Sequence, residues 1–312
     1  MDKSKSGMNG RIEVYQNPEE AGIAVARDIF YSIGRSLKRF HEYAEGVRKG
    51  SRLPVTDERY VLATAGGSST LVVAQALNGI DYDFSEVPVI VLDEYAGTAK
   101  QLEEQTRRFS RFGDKISPKA DFITNDELES RLRAEQKEAP AISFARDRRF
   151  MAHSENNPII PDQRDIYDKL SHEIFEFHSA IGKYNEYHWV DHALLGLGAD
   201  GHLISNYAGT DFYGGTHLSR SKNGVYTITV GIKTLLDDIC NMPRFRELVI
   251  LAFGEEKANA VYQMVEGDYD QRNPSSVMRH LHSNVRVVVD EAAAKDLSKW
   301  RKEKPKGLVS VL

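Results

Sequence analysis

Cysteine is nearly absent from this 312-residue chain, which carries only Cys240. An intrachain disulfide is therefore impossible, and a cage of thiolates around a metal is excluded. Long apolar runs are also missing, since none approaches the roughly 18 residues of a membrane helix, and residues 1–10 lack the apolar core of a signal peptide. These absences predict a cytoplasmic protein without a membrane partner.

The chain also lacks an excess of positive charge. Its formal net charge is −5, whereas nucleic acids and anionic membranes bind basic surfaces. The apolar content of 41% is nevertheless ordinary for a globular enzyme. We therefore expect a small-molecule ligand and no nucleic-acid partner.

Short β-rich apolar runs alternate with helical patterns along the chain. We expect strands at 60–64, 87–93, 192–198 and 247–254, with two more at 225–230 and 285–290. Helical patterns cover 18–46, 69–77, 166–181 and 255–265. Such alternation predicts an α/β fold with a mostly parallel sheet covered on both faces.

The domain organisation predicted from composition is simple. Residues 1–10 are expected to be disordered or tag-like, and residues 11–312 to form a single α/β domain. A charged, turn-rich segment at about 109–185 is expected to be a peripheral insertion in that domain.

A glycine- and hydroxyl-rich turn follows the first predicted strand, at the sheet edge where ligands collect in parallel sheets. The turn "TAGGSST" contains these residues: Gly66, Gly67, Ser68, Ser69 and Thr70. Glycines allow a close backbone approach, and the N-terminus of the next helix attracts anions, so the turn is a candidate phosphate site. The alternative is a strand-to-helix turn with a serine cap.

Acidic and imidazole groups follow the next two strands. Asp93 ends the run at 87–93 and is a candidate general base, although a solvated turn or helix cap is also open. In "GLGADGH", Asp200 can orient the imidazole of His202 and fix its tautomer; the alternative is a polar turn. Zinc binding by His188 and His192 is disfavoured, because residues four apart on a strand are too widely separated.

Lys257 follows the fourth strand, in the predicted first turn of a helix. A cation at this place costs about 0.3–1 kcal/mol unless an anion is bound there. Lys257 is therefore a candidate phosphate ligand. Local pairing with Glu255 or Glu256 is the simpler alternative.

Seven motifs in register resemble the glucosamine-6-phosphate deaminase/6-phosphogluconolactonase superfamily. They are "AGGSST", "VLDEYAG", "GLGADGH", "TVGIKTLLD", "GEEKANA", "NPSSVMRH" and "VVVDEAAA". The resemblance implies a Rossmann-like three-layer sandwich that acts on hexose 6-phosphates without a metal or other cofactor. It also implies that Asp93 is the base, that His202 assists ring opening, and that Ser68, Ser69, Arg220 and Lys257 hold the phosphate.

The two branches of this superfamily are mixed in the sequence. "LDEYAG", "TVGIKTLLD" and "PSSVMRH" resemble the deaminases, but Tyr207 stands where the deaminase pattern has a glutamate beside the catalytic histidine. Ser205 and the Gly209–Thr210 pair resemble the lactonases instead. We therefore expect a sugar 6-phosphate isomerase or deaminase whose catalytic residues are Asp93, Asp200, His202 and Tyr207. A 6-phosphogluconolactonase-type hydrolase and a non-catalytic sugar-phosphate sensor remain alternatives, and a homo-oligomer is possible.

Overall fold

The computed structural model describes residues 11–48, 60–85, 87–95, 109, 111–112, 115–116, 190–207, 216–220, 226–232, 238–239, 242–243, 245–270, 273–280 and 285–298. Only the backbone is described for 39–48, 94–95, 115–116, 216–218, 220, 226, 228, 238–239, 242–243 and 279–280. Residues 1–10, most of the expected insertion, the expected helix at 166–181 and Cys240 lie outside these ranges.

Seven strands form a wholly parallel sheet with the order β1-β12-β11-β6-β2-β3-β5. Their bounds are β1 Arg11–Tyr15, β2 Leu62–Thr64, β3 Val89–Val91, β5 Lys115–Ile116, β6 Val190–Gly196, β11 Phe245–Ala252 and β12 Val285–Asp290. The four strands β11, β6, β2 and β3 overlap the strands predicted at 247–254, 192–198, 60–64 and 87–93. All neighbours are parallel, so the loops that follow these strands leave from one edge.

Helices cover both faces of this sheet. Their bounds are α1 Pro18–Arg48, α2 Ser68–Asn78, α3 Ala258–Val265 and α4 Glu291–Ala294, and 3-10 turns span Glu255–Lys257 and Pro274–His280. Side chains alternate between the faces along each strand. Leu194 of β6 accordingly packs in the cluster beneath α1 and α2, while its neighbours Ala193 and Leu195 pack in the cluster beneath α3 and α4. The predicted three-layer α/β sandwich is confirmed.

A second, antiparallel sheet has the order β4-β8-β7, with β4 Asp93–Tyr95, β7 Thr216–Arg220 and β8 Tyr226–Val230. A short antiparallel pair, β9 Asp238–Ile239 and β10 Met242–Pro243, completes the strands. The predicted strand at 87–93 is therefore divided at Leu92, where the chain passes from the parallel sheet into β4. Asp93 stands at this junction.

Membrane-spanning helices are not found among the described residues: none of their helices combines the length and apolar character needed to cross a bilayer.

Candidate active site

The loops that carry the predicted residues start side by side at one sheet edge. The amide of Ala65 donates to the carbonyl of Leu194 at 2.8 Å, which joins the end of β2 to β6. The amide of Leu92 donates to Thr64 at 2.8 Å, joining β3 to β2. These bonds continue the sheet pairing into the loops, so each loop starts from a fixed position.

Asp93 is buried at the start of β4, with 4% of its surface exposed. Its Oδ1 accepts a hydrogen bond from the amide of Gly66 at 2.6 Å, and its Oδ2 accepts one from the Oγ of Ser205 at 2.7 Å. The solvated-turn and helix-cap alternatives for Asp93 are therefore wrong. The carboxylate instead connects the glycine-rich turn to the loop that contains His202.

His202 is oriented by Asp200, as its sequence context predicts. The Nδ1 of His202 lies 2.6 Å from Oδ1 of Asp200, and both side chains are 29% exposed. A carboxylate at this distance favours the proton on Nδ1 and leaves Nε2 for proton transfer. The ring also lies over Gly198, where a Cβ atom would be only 2.0 Å from the imidazole, so this position requires glycine.

Tyr207 lies against the same imidazole, with the two ring centroids 4.9 Å apart. Burial raises the pKa of the Tyr207 phenol, neighbouring hydroxyls of Ser205 and Thr227 oppose this, and the negative charges of Asp93 and Asp200 raise it further. Ser205, in the turn that follows His202, donates to Asp93 at 2.7 Å, so Asp93 and the His202–Tyr207 pair border the same region. The structure thus brings the four predicted catalytic residues together.

The glycine-rich turn leads into α2 without a side-chain cap. The N-cap is Gly67, with φ 107° and ψ 170°, and no side-chain oxygen caps the helix. The serine-cap alternative is therefore wrong, and the first N–H groups of α2 remain an anion-attracting end. Ser68 is exposed at this end, whereas Ser69 is buried.

Two members of the predicted phosphate set have other contacts. The amide of Gly66 donates to Asp93, so this N–H is already occupied. The hydroxyl of Thr70 lies within hydrogen-bonding distance of the carbonyls of Ala65 and Gly67, at 3.0 and 3.1 Å, and closes the turn on itself. Through these hydrogen bonds Gly66 and Thr70 stabilise the conformation of the turn.

Lys257 is the last residue of the 3-10 turn that precedes α3, rather than a residue in the first turn of an α-helix. Glu255 forms an ion pair with Lys295. Lys257 itself forms no ion pair with any residue in the described ranges, so local pairing does not explain its position. Arg220 ends β7, and its side chain lies outside the described part of the structure.

His192 lies at the other end of β6, away from these loops. Its Nδ1 lies 3.0 Å from the Tyr60 hydroxyl and its Nε2 lies 3.1 Å from Glu247. These contacts give His192 a structural role. Within the described residues, no group of three or more His, Cys, Asp or Glu side chains is arranged to hold a metal ion.

Comparison with known proteins finds curated relatives that share one enzyme name. No family model matches the chain. Glucosamine-6-phosphate deaminase of Streptococcus equi subsp. zooepidemicus is 28% identical over 245 residues, which covers 76% of this chain and 87% of that protein. The Streptococcus thermophilus protein of the same name is 25% identical, with the same coverage.

Solved structures of both branches share the fold. A monomeric glucosamine-6-phosphate deaminase superposes with a TM-score of 0.59 at 19% identity, covering 92% of this chain and 99% of that one. The 6-phosphogluconolactonase of Trypanosoma brucei gives 0.57 at 16% identity, covering 93% and 100%. The chain is therefore similar in sequence to curated deaminases and similar in fold to solved structures of both a deaminase and a lactonase.

These similarities do not choose between the deaminase and the lactonase. The curated relatives carry the deaminase name, whereas the structural neighbours include both deaminase and lactonase. This division agrees with the mixed motifs of the sequence. The choice therefore depends on the chemistry of Asp93, His202 and Tyr207.

Proposed function

We propose that this protein is a sugar 6-phosphate isomerase or deaminase in carbohydrate or amino-sugar metabolism. The observation that carries the proposal is that Asp93 and the Asp200–His202 pair lie close together, because Ser205 of the turn after His202 donates to Asp93 and the Tyr207 ring lies against the imidazole. The deaminase name of the curated relatives agrees with it.

Asp93 is proposed as the base that moves a proton between C2 and C1 of the open-chain sugar. Removal of the C2 proton from an aldose gives an enediol, and return of the proton to C1 gives the ketose. With a 2-amino sugar the same transfer gives an imine at C2, which water hydrolyses to the ketose and ammonia. A base for this step must be fixed within about 2.6–3.2 Å of the proton, and the two donors to Asp93 fix its carboxylate.

His202 is proposed to open the sugar ring. Asp200 holds the proton on Nδ1, so Nε2 can exchange a proton with the ring oxygen or the C1 hydroxyl. Tyr207 retains its proton at neutral pH, since its ordinary pKa of 10.0 is already well above 7 and burial raises it further, and the phenol can donate to a sugar oxygen. Within this scheme Tyr207 supplies a hydrogen bond and no charge.

The phosphate is proposed to bind at the N-terminus of α2, opposite Lys257. Gly67, Ser68 and Ser69 supply N–H groups and hydroxyls at the uncapped helix end. Lys257 lies in the short turn after β11, which β6 separates from β2 in the parallel sheet, and it contributes positive charge. Arg220 is a further candidate from β7, and Gly66 and Thr70 shape the turn.

Turnover of a sugar-phosphate panel tests the proposal. The protein is incubated with glucosamine 6-phosphate, glucose 6-phosphate and fructose 6-phosphate in deuterated water, with the unphosphorylated sugars as controls. We expect ammonia or ketose product from the phosphorylated sugars, with deuterium at C1 or C2 by NMR. Thermal stabilisation without product or exchange would contradict an enzyme and leave the sensor alternative.

A 6-phosphogluconolactonase activity is the second candidate. The specific observation is that the His202–Asp200 pair is partly exposed and its neighbour Tyr207 is neutral, an arrangement that can activate water for attack on a lactone carbonyl. Faster opening of 6-phosphogluconolactone than in buffer, lost in His202→Ala, would favour it. An unchanged rate of lactone decay would eliminate it.

A further inference from the structure

Ser205 connects two parts of the candidate active site that are distant in the chain. Its hydroxyl donates to Oδ2 of Asp93 at 2.7 Å, across 112 positions of sequence. Both residues are almost completely buried, with 3% and 4% of their surfaces exposed. The bond is therefore shielded from competing water.

The turn that carries Ser205 is held in an unusual conformation. Ile204 has φ 59°, a left-handed value that is uncommon for a β-branched residue. Its amide donates to Gly196 at 3.2 Å, and the amide of Asn206 donates back to Leu203 at 3.0 Å. This tight turn starts immediately after His202, so it fixes the position of Ser205 relative to the imidazole.

Asn206 attaches the same turn to the second sheet. Its Nδ2 donates to the carbonyl of Leu203 at 3.1 Å and to that of Val230 in β8 at 3.0 Å. Since β8 pairs with β4, where Asp93 lies, the turn and the carboxylate share one support. Movement of Ser205 relative to Asp93 would break several of these bonds.

On the basis of the proposed function, we propose that Ser205 is the positioning residue of the base Asp93. The hydroxyl of Ser205 and the amide of Gly66 hold one carboxylate oxygen each, so the group cannot rotate without losing both bonds. Donation to the carboxylate also favours its ionised form, which is the form that accepts a proton. Ser205 acts through Asp93 and is assigned no contact with substrate.

Ser205→Ala, Ser205→Thr and the control Ser36→Ala test this role by steady-state kinetics. Ser36 is a matched control, because it is equally buried at 3% exposure but lies on α1. Loss of a hydrogen bond to a charged group reduces a rate by about tenfold or more. We expect this reduction in kcat for Ser205→Ala, with KM changed less than about twofold, partial recovery in Ser205→Thr and no change in Ser36→Ala.

A pH titration separates positioning from simple stabilisation. In Ser205→Ala the carboxylate loses a donor, so the acidic limb of the kcat profile should move to higher pH. The groups facing Asp93 within the described residues include Gly66, Ser205 and the phenol of Tyr207. A lower thermal midpoint with kcat per folded molecule and pH profile both unchanged would refute the proposal.

Carbon-13 NMR of aspartate-labelled protein gives a readout that does not need turnover. The Asp93 carboxyl signal is assigned by its loss in Asp93→Asn and titrated in the wild type and Ser205→Ala. We expect the titration to move upward in the variant, and an unmoved curve overturns the proposal. If the wild type turns over no sugar phosphate, the proposed function fails; if it is active and Ser205→Ala is equally active, only the role of Ser205 fails.

Discussion

The rings of His202 and Tyr207 lie 4.9 Å apart with their planes inclined at 56°. The imidazole is thus between a carboxylate, Asp200 at 2.6 Å, and a phenol that stays protonated at neutral pH. In the proposed reaction Asp200 would stabilise an imidazolium at His202, while Tyr207 would supply a ring contact and a hydroxyl. This arrangement determines how each group should respond to substitution.

Asp93→Asn should abolish most of the turnover while retaining substrate binding. The amide keeps the size of the carboxylate but cannot accept a proton from carbon, and general base catalysis contributes about 10²–10⁴-fold. We expect kcat to fall by a factor in this range, with a small change in the dissociation constant measured by calorimetry. An active variant would show that Asp93 is not the base.

Asp200→Asn should reduce kcat by favouring the wrong tautomer of His202. An amide can donate to Nδ1, which would move the imidazole proton to Nε2. We expect a reduction of about 10²-fold or more for steps that need Nε2 as an acceptor. The measurement is kcat on a cyclic sugar phosphate, and wild-type activity in this variant would contradict the assignment.

Tyr207→Phe should lower activity by a factor that does not depend on pH. Burial raises the pKa of Tyr207 above its ordinary value of 10.0, so the wild-type phenol is protonated throughout the neutral range. Loss of one neutral hydrogen bond of about 0.5–1.5 kcal/mol corresponds to a reduction of roughly 2–13-fold. The kcat ratio of the two proteins is measured from about pH 6 to 9.

Tyr207→Glu is the informative companion to Tyr207→Phe. A carboxylate beside His202 would stabilise the imidazolium, which the deaminase pattern achieves with glutamate. We expect the ratio of glucosamine 6-phosphate deamination to lactone opening to rise relative to both the wild type and Tyr207→Phe. An unchanged ratio would show that position 207 does not separate the two activities.

The sequence allowed the central strands, and with them the sheet edge that carries the candidate site, to be predicted, because buried parallel strands form continuous apolar runs. It did not reveal β1, since Glu13 interrupts the apolar pattern of that strand. In the structure Glu13 is buried and paired with Arg286 of β12 at 2.6 Å. Because Arg286 lies far along the chain from Glu13, the residues around Glu13 alone do not predict a buried strand.

Ser205 was outside the predicted catalytic set for a similar reason. Its neighbours in the chain identify a turn after His202, but its contact with Asp93 depends on how β3, β4 and β6 are arranged in space. The passage of the chain from the parallel sheet into the antiparallel sheet at Leu92 was also not predicted, because the apolar run continues up to Asp93 without a break. Motif position selected the candidate catalytic groups, whereas the contacts that hold them in place depend on the fold.

Lys257→Ala should raise KM for a phosphorylated substrate without a comparable loss of kcat. Removal of a charge-assisted contact to the phosphate weakens binding by about 1.5–3 kcal/mol, or roughly 10–150-fold. Lys295→Ala is the matched control, because Lys295 is a partly exposed lysine that pairs with Glu255. Equal effects of the two substitutions, or an unaltered KM in Lys257→Ala, would refute the phosphate assignment.

Glu247→Gln should lower stability at neutral pH but not in acid. Burial raises the pKa of Glu247, but the hydrogen bond and charge of His192 and two nearby arginines outweigh it and leave the pKa below its ordinary value of 4.5. Because the pKa of Glu247 is lower in the folded state than in the unfolded state, its carboxylate stabilises the fold above a pH of 4.5. This stabilisation is lost as the pH falls through the folded-state pKa.

The loss at pH 7 should be about 1–3 kcal/mol, the contribution of a hydrogen bond to a charged group, measured by urea unfolding. As the pH falls through the folded-state pKa, which lies below 4.5, the carboxylate of the wild type becomes protonated, so the difference between the wild type and Glu247→Gln should shrink. Glu19→Gln, which removes an exposed acid from the first turn of α1, should show little change at either pH. A difference for Glu247→Gln that stays constant with pH would mean that the ionised carboxylate is not what stabilises this end of the sheet.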